Sequence, residues 1–338
     1  MTIGIRTLKK FRGKPTLTDY LHGNALWQQV EAASKSALAT GALKSIPTRR
    51  EVRNISIGDC SVDFQIRVVE NLIRKTKEAQ DRAKQLPNPK NSDQKPFNPF
   101  LPYEPDLYVG ELTDHYRCLL NKFNVMDHHI LMVTTQYEPQ QTPLRAEDFL
   151  AAQICLQAQD GLVFYNGGPE AGASIEHKHL QMIPLPLDPI PLSPIPLSPL
   201  LAENDAPFPF HKIFSSISTS SPTASALPFK HLVIETDFSV SGSFDNLKAS
   251  AENNCHNYQQ ILKELNLSTN ADGMMAPHNL LITRDALWVV PRKKERFQEL
   301  AVNALGFSGT LLVKDTQQLN ELDDIGCLNL LKAVAFSS

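Results

Sequence analysis

The chain has 338 residues, of which 42% are apolar and 20% charged, and its formal net charge is -3 at pH 7. This length suits one large domain or two domains of ordinary size. The slightly acidic balance excludes the basic surface of a protein that binds long nucleic acids. We expect no membrane insertion, because no uninterrupted apolar stretch approaches the roughly 18 residues of a membrane span.

The five cysteines are scattered along the chain, and no two of them form a C-x-x-C pair. Such spacing is typical neither of a disulfide framework nor of a thiolate zinc site. The first residues, MTIGIRTLKKFRGK, lack the apolar run of a secretory leader. We therefore predict a reducing, cytoplasmic compartment.

Taken in chain order, the spacing of apolar residues predicts a helix over residues 25–43 and then a strand over 62–73. A polar, proline-broken surface loop follows over 76–100. Further strands are predicted over residues 107–112, 116–123, 129–134, 162–165, 177–184, 279–283, 286–290 and 309–314. Further helices are predicted over residues 146–159, 244–267 and the final LNLLKAVAFS. Short strands interspersed with helices predict an α+β fold with an antiparallel sheet.

A proline- and serine-rich segment interrupts this pattern, and in it PIPLS occurs twice in tandem from Pro189 to Ser198. Proline fixes φ and removes a backbone donor, so this segment is expected to be extended and outside any sheet. A surface loop is favoured over a polyproline ligand for a partner protein. The chain is therefore divided into residues 1–187, an insertion loop over 188–226, and residues 227–338.

One predicted strand carries two histidines and a glutamine in the sequence HKHLQMIP, residues 177–184. Side chains of a strand alternate between its faces, so His177, His179 and Gln181 lie on one face and Lys178 on the other. At about 3.3 Å per residue, neighbours on one face are about 6.5 to 7 Å apart. Three polar groups therefore point towards a common target.

From this spacing alone, three interpretations stay open. The histidines can simply occupy a surface strand. They can bind a metal, but a metal site needs further ligands, and the sequence has no C-x-x-C, H-E-x-x-H or paired-acid motif to supply them. Glutamine is also a poor ligand for a transition metal. In the third interpretation one histidine is a nucleophile or base and Gln181 binds the transferred group.

The residues before the strand favour the third interpretation. NGGPEAGAS, residues 166–174, contains three glycines and several small residues, which let a backbone approach an anion and direct N–H groups at it. A glycine-rich loop beside H-x-H-x-Q indicates phosphate chemistry at a histidine, because neutral imidazole attacks phosphorus and forms a reactive phosphoramidate.

The arrangement N-G-G…G-A-S…H-K-H-L-Q resembles that of the ATP adenylyltransferases, also called diadenosine tetraphosphate phosphorylases, a branch of the histidine-triad superfamily. The resemblance extends over about residues 43–314, excepting the insertion, and is carried by residues 97–112, 118–134, 278–293 and 303–314. The layout is most similar to that of cyanobacterial and plant-type members. It implies a histidine-triad-like antiparallel β-sheet flanked by helices, with residues 1–187 and 227–338 as adenylyltransferase regions of one fold.

The resemblance implies that His179, the second histidine of H-x-H-x-Q, is the nucleophile. Gln181 occupies the place of the third histidine of other triad proteins and would donate a hydrogen bond to the transferred phosphoryl group. We interpret His177 as a structural residue that supports the loop, in preference to a second nucleophile.

The remaining residues implied by the resemblance contact the substrate. Asn166 and Ser174 match phosphate-contacting positions of the glycine-rich loop. Lys314 and Lys75 match lysines that neutralise the polyphosphate, and Asn121 matches the position that binds the ribose hydroxyls. Without the resemblance, each of these would be interpreted as an ordinary turn or surface residue.

The implied activity is the reversible phosphorolysis of diadenosine tetraphosphate to ATP and ADP through an adenylyl-histidine. Mg²⁺ would accompany the nucleotide, with no metal bound tightly by the protein. The expected partners are ATP, ADP, the dinucleotide and phosphate, with no polymeric nucleic acid, and the expected assembly is a monomer or small homo-oligomer. Alternatives are a hydrolase, a hexose-1-phosphate uridylyltransferase or nucleotide-sugar phosphorylase, and a nucleotide sensor without turnover.

Overall fold

The computed structural model describes residues 20–57, 60–69, 98–186, 227–238 and 243–338. The helices of this part are α1 (Gly23–Thr40), α2 (Ala146–Ala158), α3 (Phe244–Glu264), α4 (Thr316–Ile325) and α5 (Cys327–Val334). Four of them confirm the helices predicted from the sequence. The short helix α4 was not predicted.

The strands occur in groups between these helices along the chain. They are β1 (Thr48–Ile57), β2 (Cys60–Val69), β3 (Tyr108–Glu111), β4 (Tyr116–Leu120), β5 (Ile130–Thr134), β6 (Gly161–Gly167), β7 (His179–Pro184), β8 (Leu232–Glu235), β9 (His278–Ile282), β10 (Ala286–Pro291), β11 (Arg296–Phe297), β12 (Leu300–Ala301) and β13 (Thr310–Val313). The predicted strands are confirmed in the described residues, with ends that differ by a few residues.

Among the described residues, eight strands form one antiparallel sheet in the order β3-β4-β5-β7-β6-β9-β10-β8. Strands β8, β9 and β10 follow the insertion in sequence and join the same sheet as the strands before it. The sheet is flanked by helices, which confirms the predicted α+β fold.

A second sheet has the order β1-β2-β13, in which β13 runs parallel to β2 and β1 antiparallel to it. The edge strand β1 was not predicted, because it lacks alternating apolar residues. Its Arg53 is paired with Phe64 of β2 and donates to both carboxylate oxygens of Asp323 in α4, at 2.7 and 2.8 Å. Paired charges thus take the place of the apolar pattern in this strand.

The two faces of the eight-stranded sheet pack against different partners. One face, with Leu180 and Met182 of β7, packs against α1, α2 and α3. The other face, with Ile183 of β7, packs against the three-stranded sheet and helices α4 and α5. The opposite orientation of neighbouring β7 residues confirms the period-two pattern that the sequence predicted for this strand.

Two details of the predicted elements differ from the structure. The apolar spacing that predicted α1 includes Leu26, Val30, Ala37 and Leu38. The first three are buried, but Leu38 lies on the outer side of the helix and is 52% exposed. The helix ends where Gly41 adopts a left-handed conformation with φ of 75°.

Most of the predicted loop over 76–100 and the whole insertion over 188–226 lie outside the described residues. No helix in the described part is both long and apolar enough to span a membrane.

Candidate active site

A cleft of about 250 Å³ lies between the H-x-H-x-Q face of the eight-stranded sheet and residues of the three-stranded sheet such as Arg67 and Thr310. Strands β2, β6, β7 and β13 and the glycine-rich loop form its walls. The residues predicted from sequence that line it are Asn121, Asn166, Ser174, His179 and Gln181. These residues are up to 60 positions apart in sequence, and the fold brings them to one cavity.

His179 presents one ring nitrogen to the cleft. Its Nδ1 lies 2.8 Å from the carbonyl oxygen of His177, and since a carbonyl only accepts, Nδ1 carries the proton. The lone pair of the ring is therefore on Nε2. Burial lowers the pKa of His179 to about 4, partly offset by the bond to His177, so the imidazole is neutral at neutral pH. A neutral histidine with a free Nε2 lone pair is suited to nucleophilic attack.

His177 has both ring nitrogens in contact with protein groups. Nε2 donates to the carbonyl oxygens of Thr134 and Gln136, each at 3.1 Å, and Nδ1 lies 3.0 Å from the side-chain nitrogen of Asn98. The ring also packs against Phe100, as does the ring of His179. His177 does not line the cleft, and its ring is held by protein groups at both nitrogens.

Gln181 and Asn121 are both bonded to His129, a buried residue immediately before β5. Nε2 of His129 donates to Oε1 of Gln181 at 3.0 Å, and Nδ2 of Asn121 donates to Nδ1 of His129 at 3.1 Å. Burial lowers the pKa of His129 to about 4, which keeps it neutral and able to accept and donate at once. With Oε1 of Gln181 occupied, its amide N–H groups are the ones directed to a ligand.

Asn166 is oriented in the same way by its neighbours. Its Oδ1 accepts from Nδ2 of Asn279 and from the backbone N–H of Ala304, both at 2.9 Å. The amide nitrogen of Asn166 is therefore the donor available to the cleft. Asn279 is held in turn by the guanidinium of Arg292, which donates to its Oδ1 at 2.5 Å.

Arg292 begins the basic run R-K-K over residues 292–294, and charged side chains in such a run are ordinarily exposed. The structure instead buries Arg292 to 2% exposure, and its guanidinium donates to the carbonyl oxygens of Ala171 and Val302. Burial lowers its pKa to about 9. Arg292 thus joins the glycine-rich loop to the segment that carries Ala304, while Lys293 and Lys294 are exposed.

The glycine-rich loop turns sharply at Gly172, which has φ of 90° and lines the cleft. A Cβ at this position would lie 3.0 Å from Cα of Asn303, so both the conformation and the packing require glycine. The N–H groups of Gly172 and Ala173 donate to the carbonyl oxygens of Pro169 and Gly168 inside the loop. These two amides are therefore not directed at an anion as the sequence suggested, and Ser174 is exposed beside them.

Lys314, one of the two predicted lysines, does not line this cleft. Lys314 is exposed just after β13 and lines a neighbouring cleft of about 220 Å³, which shares Gly172, Asn303 and Thr310 with the first. Lys75 lies outside the described residues. Within the described part, Arg67 is the charged side chain that lines the first cleft.

Sequence patterns did not identify four residues that shape the site: His129, Gln140, Asn279 and Arg292. Their side chains bond to other protein groups in the site, so no local motif marks them. The adjacent histidines at 128 and 129 looked like the end of a strand. Only the pairing of β5 with β7, which sets Leu131 opposite Gln181, brings His129 within reach of that glutamine.

The metal interpretation of H-x-H finds no support in the described residues. No group of three His, Cys, Asp or Glu side chains in this part could hold a metal ion. In addition, both nitrogens of His177 are bonded to protein groups, so the two histidines do not form a chelating pair.

Comparison with known proteins defines the class of this site. Residues 16–203 match the family model described as "Ap4A phosphorylase N-terminal domain". Residues 225–337 match the family model described as "ATP adenylyltransferase C-terminal domain". The chain is therefore a nucleotidyltransferase by class. Within that class it belongs to the Ap4A phosphorylase family, because the first model alone covers more than half of its length.

Two curated relatives come from Saccharomyces cerevisiae. Diadenosine tetraphosphate phosphorylase 2 is 29% identical over 261 residues, which are 70% of this chain and 74% of that protein. Protein APA1 is 27% identical over 306 residues, which are 86% of this chain and 87% of that protein.

Solved structures share the fold. Yeast Ap4A phosphorylase Apa2 in complex with AMP superposes with a TM-score of 0.65 at 23% identity, over 94% of this chain and 99% of that one. The complex of the same enzyme with Ap4A gives a TM-score of 0.61 at 22% identity, with the same coverage.

Proposed function

We propose that this protein catalyses the phosphorolysis of diadenosine tetraphosphate to ATP and ADP, with His179 as the nucleophile. The observation that carries the proposal is the state of His179: a neutral imidazole with its Nδ1 proton bound to a carbonyl and its Nε2 lone pair in the cleft. The relatives named as diadenosine tetraphosphate phosphorylases support the choice of substrate.

In the first step, Nε2 of His179 attacks the α-phosphorus of one adenylyl group. A bond forms between this nitrogen and phosphorus, and the bond from phosphorus to the bridging oxygen breaks, which releases ATP. Amide N–H groups of Gln181 and Asn166 stabilise the negative charge that develops on the phosphoryl oxygens. Their orientation is fixed before the substrate arrives, by His129 and by Asn279 and Ala304 respectively.

In the second step, an oxygen of inorganic phosphate attacks the same phosphorus from the cleft. The bond from phosphorus to Nε2 breaks, ADP is released, and His179 regains its lone pair. Protein groups contribute positioning and charge stabilisation, and the reverse reaction makes the dinucleotide from ATP and ADP. Asn121 binds the ribose hydroxyls, while Ser174, Lys75 and Lys314 bind the phosphate chain.

The cofactor and cellular setting are part of the proposal. Mg²⁺ enters as a complex with the nucleotide, and the partners are nucleotides and phosphate, bound by a monomer or small homo-oligomer without nucleic acid or membrane. A cytoplasmic location is supported by the free, buried thiols of Cys118, Cys155, Cys255 and Cys327.

The proposed function is tested by chromatography of diadenosine tetraphosphate incubated with the protein and Mg²⁺, with and without phosphate. We expect equimolar ATP and ADP that form only when phosphate is present, and label from radioactive phosphate in the β position of ADP. ATP and AMP formed without phosphate would instead show a hydrolase. Thermal stabilisation by the dinucleotide without any product would show a sensor.

The pH dependence of the reaction follows from the pKa of His179. Only the neutral imidazole attacks phosphorus, and the pKa of about 4 keeps it neutral over the whole range from pH 5 to pH 8. We therefore expect kcat/KM for the dinucleotide to be constant on the acid side of neutrality down to pH 5. An acid limb near pH 6.5, the range of an exposed histidine, would contradict the buried state of the nucleophile. In a two-step displacement this parameter does not depend on phosphate, so titration of phosphate does not obscure the result.

A further inference from the structure

The backbone of His179 is bonded to a side chain that no sequence pattern marked. The backbone N–H of His179 donates to Oε1 of Gln140 at 2.8 Å, and Nε2 of Gln140 donates to the carbonyl oxygen of His179 at 3.1 Å. The same nitrogen donates to the carbonyl oxygen of Asn166 at 3.0 Å. One buried amide thus contacts both the proposed nucleophile and the residue proposed to stabilise the phosphoryl group.

This amide occupies a gap in the sheet. Strands β6 and β7 pair from Gly161 with Pro184 as far as Phe164 with Gln181. Continued in the same register, the next inter-strand pairs would place Asn166 opposite His179. The strands separate before that point, and the side chain of Gln140 takes the place of the direct backbone bonds. Where the strands separate, the cleft opens between Asn166 and His179.

Gln140 is held in place by its own backbone. Its N–H donates to the carbonyl oxygen of Glu176 at 2.6 Å, and its carbonyl oxygen accepts from the hydroxyl of Tyr165. The residue is 4% exposed. Because these bonds do not involve the side chain, a substitution at 140 can remove the bridging amide while the surrounding segment keeps its anchors.

We propose that Gln140 is a positioning residue of the transfer reaction, whose side-chain amide sets the separation of His179 from Asn166. This inference rests on the proposed function, since it assigns Gln140 to the same site. Loss of the amide allows β6 and β7 to close towards direct pairing, which moves Nε2 of His179 away from the line of attack. A misplacement of about 1 Å is enough to cost about 10²-fold in rate.

The first variant that tests this is Gln140→Met, which keeps the side-chain length and removes both the donor and the acceptor. We expect kcat to fall by about 10- to 100-fold, because attack geometry is lost. We expect KM to change by less than about threefold, because Gln140 does not line the cleft or touch the nucleotide. A kcat within about twofold of the unsubstituted enzyme would overturn the inference.

The second variant, Gln140→Glu, tests the pH dependence of the activity, which a substitution at a purely structural residue would not change. A protonated carboxyl keeps the acceptor and one of the two donors of the amide, whereas an ionised carboxylate has no donor for the carbonyl oxygens of His179 and Asn166. Burial raises the pKa of such a carboxyl. We expect the activity of this variant to fall as pH rises from 5 to 8, where the unsubstituted enzyme is constant. A flat profile that matches the unsubstituted enzyme would overturn the inference.

The matched control is Thr283→Val. Thr283 is buried, and its hydroxyl bonds to Asp285 and Ala286 in the turn at the end of β9 remote from the cleft. We expect this variant to lower the melting temperature while kcat stays unchanged. If Gln140→Met lowers kcat no more than the control does, the inference fails. Absence of phosphate-dependent cleavage by the unsubstituted enzyme would instead reject the proposed function itself.

Discussion

Replacement of His179 by alanine is expected to abolish adenylyl transfer, with a loss in kcat of about 10³-fold or more, because the reaction then has no covalent route. The measurement is phosphate-dependent cleavage of diadenosine tetraphosphate, combined with transfer of label from an α-labelled substrate to the protein. With the unsubstituted enzyme, acid-labile label on the protein is expected when phosphate is omitted. The variant should show neither label nor turnover.

Two control variants separate the nucleophile from other histidines. His256→Ala changes an exposed histidine on the outer side of α3, and this variant should keep full activity and full labelling. His177→Ala removes the bonds to Thr134 and Gln136, so it should slow the reaction yet still form the labelled intermediate. Normal turnover by the His179 variant, or label attached to His177, would reject the assignment.

Replacement of Lys178 by methionine is expected to destabilise the fold by about 3–5 kcal/mol, because it leaves a buried carboxylate without its cation. The ammonium of Lys178 is fully buried and lies 3.2 Å from a carboxylate oxygen of Asp148, which is 1% exposed. It also donates to the carbonyl oxygen of Pro143 at 3.3 Å. The measurement is the free energy of unfolding from urea denaturation followed by circular dichroism.

The matched control for this prediction is Arg145→Met. Arg145 forms an ion pair with Glu138 at 2.7 Å, but its side chain is 53% exposed, so its loss should cost less than about 1 kcal/mol. Adding Asp148→Asn to Lys178→Met should recover most of the stability, because the buried charge is then removed. A cost for Lys178→Met no greater than that of the Arg145 variant would show that Asp148 is not dependent on Lys178.

Much of the fold was predictable because local patterns and tertiary packing agree. The helices over 146–159 and 244–267 and the strand at 177–184 were predicted from local sequence patterns. Strand β1 was not predicted, since it contains charged residues such as Arg53. The charge of Arg53 is paired with Asp323, which is 270 positions away in sequence. The role of Lys178 was also not predictable. Its position on the face opposite His177 and His179 followed from periodicity, but its partner Asp148 did not.

In the candidate site, too, some features could be predicted from the sequence and others could not. Sequence by itself determined the glycine-rich loop, the strand that carries His179 and Gln181, and which face of that strand they share, because these depend on backbone periodicity and neighbouring residues. Only the tertiary structure decided the proton position on His179, the direction of the Gln181 and Asn166 amides, and the gap filled by Gln140. The first depends on the ring orientation that brings Nδ1 of His179 to the carbonyl oxygen of His177. The others depend on hydrogen-bond partners from distant segments, and such partners enter a site only when long-range strand pairing has placed them there.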